Sequence, residues 1–252
     1  MPSHRYGSRM PTLPTLHWGD PAAERRALLV HGLTSSGATW WRVGAALAAD
    51  GWFVTAVDLR GNGAAPVADS YGFADYVADL PGDGWDLVVG HSLGGAVGTL
   101  AALRPGFTRR LALLDPALAL PSAELEELLA GELWELTLDE AGFRELRPAW
   151  HPLDIAHKAA AVALAQPRMV ERTVADNTPW NVLEQAALLG VPTLIVGGDH
   201  AVFSMLPAEA ADALSSANPQ ISYVVVPGSG HSPHRDRPEE TLALLRDWLR
   251  RD

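Results

Sequence analysis

The sequence has no cysteine. Disulfides, thiolate metal sites and a cysteine nucleophile are excluded together. Lysine is almost as scarce: Lys158 is the only one, and arginine supplies the other eighteen basic side chains. We read that ratio as compositional bias. Nineteen basic residues against thirty acidic ones leave a formal net charge of −11. With no basic cluster longer than a dipeptide, neither nucleic acid nor an anionic membrane is an expected partner. No apolar run reaches the length of a membrane span. Residues 1–18 are polar and proline-rich and lack the apolar centre of a signal peptide. The expected location is therefore the cytoplasm.

Apolar residues make up 48% of the chain and charged residues 19%. That is enough apolar material for a sizeable core and too little charge for disorder. Short apolar runs at 27–30, 52–57, 86–89, 110–114, 192–196 and 221–226 are bounded by Gly, Pro or Asp. Nearly continuous apolar character is what a strand shows when both faces of a parallel sheet are covered. Helix-length segments lie between them at 40–49, 73–80, 93–103, 206–216 and 238–250. The alternation predicts an α/β fold, a mostly parallel twisted sheet with helices on both faces. The rhythm breaks between 121 and 189, where helical stretches separated by prolines replace strands. The expected organisation is a core domain of residues 1–120 and 190–252, with a helical insertion at 121–189. Nine tryptophans against four tyrosines and five phenylalanines suggest indole-lined surfaces, and Trp134, Trp150 and Trp180 fall in the insertion.

Gly90-His91-Ser92-Leu93-Gly94, followed by Gly95, sits between a predicted strand and a predicted helix. A Gly-x-Ser-x-Gly in that context is a nucleophile elbow. The tight turn strains the serine backbone, and glycines on either side let strand and helix approach. The helix N-terminus behind Ser92 favours developing negative charge. No phosphate-cradling loop and no metal-ligand spacing is present, and the chemistry of a serine nucleophile requires no cofactor.

Five features recur along the chain in a familiar order. They are His31-Gly32 after the first buried strand, the turn Asp58-Leu59-Arg60-Gly61-Asn62-Gly63, the Ser92 elbow, a late Gly-Asp and a terminal Gly-His. In this the sequence resembles the α/β-hydrolase superfamily, from about Thr15 to Asp252. Asn62 departs from the family, which usually has His there, at a turn that is structural.

The resemblance implies a Ser-His-Asp serine hydrolase. It places oxyanion-hole N–H groups at Leu33 and Leu93. It makes His231, after the last strand, the general base in preference to His234. For the acid it offers Asp199, after the strand at 192–196, and as an alternative Asp115, which ends the strand after the nucleophile helix. Asp199 is the favoured position. The insertion falls where the family carries its lid, and Trp40, Trp134, Trp150 and Trp180 become candidate substrate contacts. The expected substrate is a neutral carboxylic ester or lactone with an apolar acyl part. Overall length, the loop at 31–37 and the Trp40-Trp41 pair resemble the acyl-homoserine lactonases of this fold. Ser92 argues against dehalogenases and epoxide hydrolases, which carry Asp there. General carboxylesterases, perhydrolases, carbon–carbon bond hydrolases and hydrolase-fold ligand receptors stay open, and oligomeric state is not legible.

Overall fold

A computed structural model describes residues 12–251. Residues 1–11, read above as lacking a signal peptide, lie outside the described residues. The strands are β1 (Thr15–Trp18), β2 (Arg25–Val30), β3 (Trp52–Val57), β4 (Leu87–His91), β5 (Leu111–Leu114), β6 (Ala119–Leu120), β7 (Trp180–Asn181), β8 (Thr193–Gly197) and β9 (Ile221–Val225). Seven of them form one sheet in the order β1-β3-β2-β4-β5-β8-β9. Only β1 runs antiparallel, pairing with β3; the other neighbours are parallel. β1 was not expected from the sequence, because a short edge strand open to water need not be continuously apolar.

The strands are apolar on both faces because both are covered. Leu28, Val30, Val57, Val88, Leu111, Leu113 and Ile195 point into one apolar layer. Ala27, Leu29, Val54, Ala56, Leu87, Val89, Ala112, Leu114 and Val196 point into the other. This is the two-residue alternation of a strand. The first layer is closed by α2 (Phe73–Asp79), α3 (Leu93–Ala102), α8 (Leu183–Ala187) and α9 (Ala208–Ala217), through residues such as Tyr76, Val97, Ala186 and Leu214. The second is closed by α1 (Trp41–Ala49) and α11 (Pro238–Leu249), through Val43, Leu47 and Leu245. Burying one such aliphatic side chain is worth about 1.5–3 kcal/mol, which makes these layers the main source of stability. Between β9 and α11 lies the short α10 (Pro233–Asp236).

The segment between β6 and β7 holds α4 (Ser122–Glu135), α5 (Glu140–Leu146), α6 (Pro152–Leu164) and α7 (Pro167–Asp176). Asp139 caps α5 by accepting from Gly142 N at 2.9 Å, and Pro152 and Pro167 open α6 and α7, as proline's fixed φ allows. Phe143, Trp150, Ile155 and Val162 form a small core of their own. The insertion is not wholly strand-free as expected: β6 and β7 pair antiparallel at its two ends, Leu120 opposite Trp180. Two-residue strands carry no readable periodicity.

Candidate active site

The site forms where the parallel strands end. Gly90 and His91 complete β4, Ser92 turns the chain, and α3 begins at Leu93. Ser92 has φ +53°. The elbow needs its glycines: a Cβ on Gly90 would lie 2.4 Å from Gly94 O, and one on Gly94 would lie 2.2 Å from Val30 O. Gly32 has the same use, since a Cβ there would meet Ser92 Cβ and His91 Nδ1 at 3.0 Å. The bare backbone of the loop after β2 is thereby pressed against the serine. Leu93 opens α3, where an amide N–H has no acceptor within its own helix.

His31 ties this loop to the turn after β3. Its Nε2 accepts from Leu59 N at 3.0 Å, and its Nδ1 donates to Gly32 O at 2.6 Å. Burial lowers its pKa to about 4, which keeps the ring neutral. Its side chain is structural.

His231 follows β9 and meets a carboxylate: its Nδ1 donates to Asp115 Oδ2 at 2.7 Å. Asp115 was the second choice from the sequence, and the preference for Asp199 is corrected here. β5 and β8 are parallel neighbours, so the loops after both open at the same edge of the sheet. Asp115 follows β5 directly with φ +39°, and its side chain turns inward, fully buried. Asp199 lies two residues past β8 and joins its own loop to the one after β9, accepting from Ala201 N at 2.9 Å and Gly228 N at 2.8 Å. It is a turn-forming carboxylate at the surface.

Asp115 also accepts from Met205 N at 2.9 Å, Ser204 Oγ at 2.5 Å and Gly198 N at 3.2 Å. Burial alone would raise its pKa, but the hydrogen bond and charge of His231, with the Met205 and Ser204 bonds, hold it below the ordinary carboxylate value. An ionised carboxylate fixes the Nδ1–H tautomer and leaves Nε2 to take a proton. His91 Nε2 donates to His231 O at 2.8 Å, anchoring the backbone of that loop. His234, the competing histidine, is buried and stacks on Trp40 at 4.8 Å, away from the carboxylate.

Ser92, His231, Gly32 and Leu33 line one cavity of about 960 Å³. A sequence model of the alpha/beta hydrolase family matches residues 27–244. The chain belongs to this family. Lipase LipV of Mycobacterium tuberculosis is 36% identical over 144 residues, which covers 53% of this chain and 54% of the lipase, about half of each. The 2-(acetamidomethylene)succinate hydrolase of Mesorhizobium japonicum is 27% identical over 256 residues, covering 88% of this chain and 87% of that enzyme. The crystal structure of E-2-(acetamidomethylene)succinate hydrolase superposes with a TM-score of 0.82 at 24% identity, over 94% of both chains. At that identity the superposition speaks for the fold.

In this alpha/beta hydrolase, two of the four expected tryptophan contacts line the cavity. Trp134 is half exposed on α4, and Trp150 is buried just before α6, its Nε1 donating to Asp236 Oδ1 at 2.6 Å. Trp40 and Trp180 do not line it. Trp40 packs beneath the sheet with Val43 and Leu47. Trp180 donates to Ala117 O at 2.7 Å and meets Phe73 edge to face. Both are core residues, because a large indole beside a strand or at a helix start buries more surface by packing inward.

The cavity wall is more charged than the sequence suggested. Glu132 and Glu135 on α4 and Lys158 on α6 all line it. Lys158 Nζ pairs with Glu135 Oε2 at 2.8 Å and donates to Thr34 Oγ1 at 2.8 Å and Thr34 O at 3.2 Å. Glu132 contacts the same hydroxyl. Burial raises the Glu132 pKa, which Lys158 offsets only in part; for Glu135 burial is outweighed by Lys158 together with Arg147 and Arg235, and the pKa is lowered. Lys158 thus acts on both carboxylates, and pairs directly with Glu135. Thr34 has φ +49° and directly follows Leu33. The insertion therefore grips the loop beside the serine. Sequence reasoning missed this cluster; the single lysine was its one visible trace.

Among the described residues no cluster of His, Asp and Glu has the makings of a metal site. No described helix is long and apolar enough to cross a membrane.

Proposed function

We propose that the chain is a serine hydrolase that cleaves carboxylic esters through an acyl-Ser92 intermediate. The 2.7 Å contact between His231 Nδ1 and the buried Asp115, with His231 lining the same cavity as Ser92, carries this reading. In the proposed mechanism, Ser92 Oγ attacks the acyl carbon while His231 Nε2 takes its proton. The N–H groups of Leu33 and Leu93 hold the oxyanion, a contribution that typically amounts to several kcal/mol. His231 then returns the proton to the leaving alcohol oxygen as the C–O bond breaks. Water, deprotonated by His231, releases the acid and frees Ser92. The residues around 121–189 act as a lid, with Trp134 and Trp150 against the substrate.

Backbone strain supports the same assignment. Thr34, Ser92 and Asp115 are the positive-φ residues other than glycine among those described, and all three stand at this site. Strain kept by three side-chain-bearing residues in one place favours a functional reading over a packing one.

The finer expectation of an acyl-homoserine lactone with a long apolar tail is less well supported. Lys158, Glu132 and Glu135 interrupt the wall that an acyl chain would need. A shorter, more polar acyl group fits the lining better, and the Mesorhizobium japonicum relative is named for a succinate derivative.

The test is fluorophosphonate labelling with mass spectrometry, beside a panel of aryl esters, acyl-homoserine lactones, 2-(acetamidomethylene)succinate and a peroxide-dependent halogenation assay. Label on Ser92, with turnover reduced by about three orders of magnitude or more in Ser92→Ala, is the expected result. Label elsewhere, or a Ser92→Ala variant as fast as wild type, overturns the reading. Labelling without turnover of any ester would point to a ligand receptor.

A further inference from the structure

Arg235 stands four residues past His231, near the end of α10, and lines the same cavity as Ser92. It is only 5% exposed. Its guanidinium lies 5.0 Å above the Trp150 ring. Among the described residues the single polar contact of its side chain is a long one, Nη2 to Ser35 Oγ at 3.4 Å, and Nε has no partner. It forms no ion pair with any described residue within 4.0 Å.

Three carboxylates lie near enough for their charge to be felt, and each is held by other donors. Asp154 accepts from Trp41 Nε1 at 2.8 Å and Arg42 Nη2 at 3.4 Å. Glu135 pairs with Lys158. Asp236 accepts from Trp150 Nε1 at 2.6 Å and Gly230 N at 2.8 Å. Burial consequently pulls the Arg235 pKa below its ordinary value. A buried guanidinium without a direct ion-pair partner is costly. The cost is offset when the missing partner arrives with the ligand.

We infer that Arg235 anchors a carboxylate of the substrate. On the reading that Ser92 is the nucleophile, the substrate then bears a free carboxylate besides the acyl group under attack. The planar fork of arginine matches a carboxylate in a two-point contact, and Trp150 and Ser35 hold the fork in place. The other acidic residues of the wall do not forbid this. Glu124, Glu127 and Glu209 stand in water at the rim, where their field is screened, and Glu132 accepts from Thr34 Oγ1 beside Lys158, which offset its charge.

The probes are succinate, glutarate and adipate, each beside its uncharged diamide, titrated calorimetrically into wild type and Arg235→Gln. Wild type is expected to bind at least one dicarboxylate about tenfold or more tighter than its diamide. In Arg235→Gln that affinity should fall about thirtyfold or more, the loss usual when one partner of a buried charged contact is removed. Equal binding of diacid and diamide by wild type overturns the inference without recourse to any variant. So does an unchanged diacid affinity in a folded Arg235→Gln protein. In turnover, the kcat/KM ratio of a 4-nitrophenyl hemiglutarate to its methyl ester should drop in Arg235→Gln, mainly through KM. A parallel fall for both esters marks a merely structural arginine and overturns the inference. If wild type cleaves no ester yet loses diacid binding on Arg235→Gln, the anchor stands and the esterase reading falls.

Discussion

Among the described residues His231 has one carboxylate within hydrogen-bond reach, and its identity sets the sharpest residue-scale expectation. Asp115→Asn keeps the side-chain shape but exchanges a negative acceptor for an amide that favours the wrong imidazole tautomer. The expected loss in kcat is about 10⁴-fold, as for a triad acid elsewhere. Asp199→Asn should leave kcat within a few-fold of wild type and shift Tm only slightly, because Asp199 contacts the backbone of surface loops. Steady-state kinetics on the two variants decide the matter, and the reverse ranking would restore Asp199. Burial is what separates these two aspartates, and neither sequence neighbourhood encodes it.

At the scale of elements, the insertion touches the chemistry through Lys158. Its ammonium joins α6 to Glu135 of α4 and to Thr34 in the loop after β2. Replacing it by Met would take from Glu135 its paired ammonium and from Glu132 its main offsetting charge, in a wall where both lose water. Breaking a buried pair in this way costs about 3–5 kcal/mol. Lys158→Met is therefore expected to lower Tm. It should also cut kcat more than it raises KM, because the Leu33 N–H is no longer held by its neighbour. Calorimetry with Michaelis–Menten analysis checks both parts. An unchanged kcat in a folded variant would show that the insertion does not position this loop. A lysine alone in 252 residues reads as composition. Its partners lie 23 and 124 positions away in sequence, on elements no periodicity connects.

For the whole molecule, three histidines govern the response to acid. Burial lowers the pKa of His31 to about 4 and those of His91 and His234 well below 6.5. In the unfolded chain each returns to an ordinary value near 6.5, so that between pH 6.5 and 4 the unfolded state binds more protons than the folded one. Stability is unaffected by these groups above pH 6.5 and falls as the pH drops through that window. His31 alone contributes on the order of 3 kcal/mol by its lower end. Asp115, whose pKa is depressed, adds a loss only when the pH falls through the carboxylate range. Thermal unfolding between pH 7.5 and 4 should show Tm declining from about pH 6.5. A flat Tm down to pH 5 would mean that these rings are not buried neutral.

Local patterns along the chain determined the architecture and the turn that carries Ser92. Strand runs with both faces apolar can be satisfied only inside a covered parallel sheet, and residues 52–57 and 221–225 form strands as expected. The Ser92 elbow is equally local, since Gly90 and Gly94 answer clashes within a few residues of the turn and with the adjoining strand. The place of His231 was legible because the loop after the last strand has little freedom in where it ends. What tertiary structure decided depends on which side chains face each other across distant elements. β5 and β8 are neighbours, so two aspartates emerge at one edge, and only backbone direction chooses between them. Trp40 and Trp180 turned inward while Trp134 and Trp150 reached the cavity, a difference set by the docking of α4 and α6. The charges of Lys158 and Arg235 acquired meaning only once burial removed their water, and burial is a property of the assembled fold.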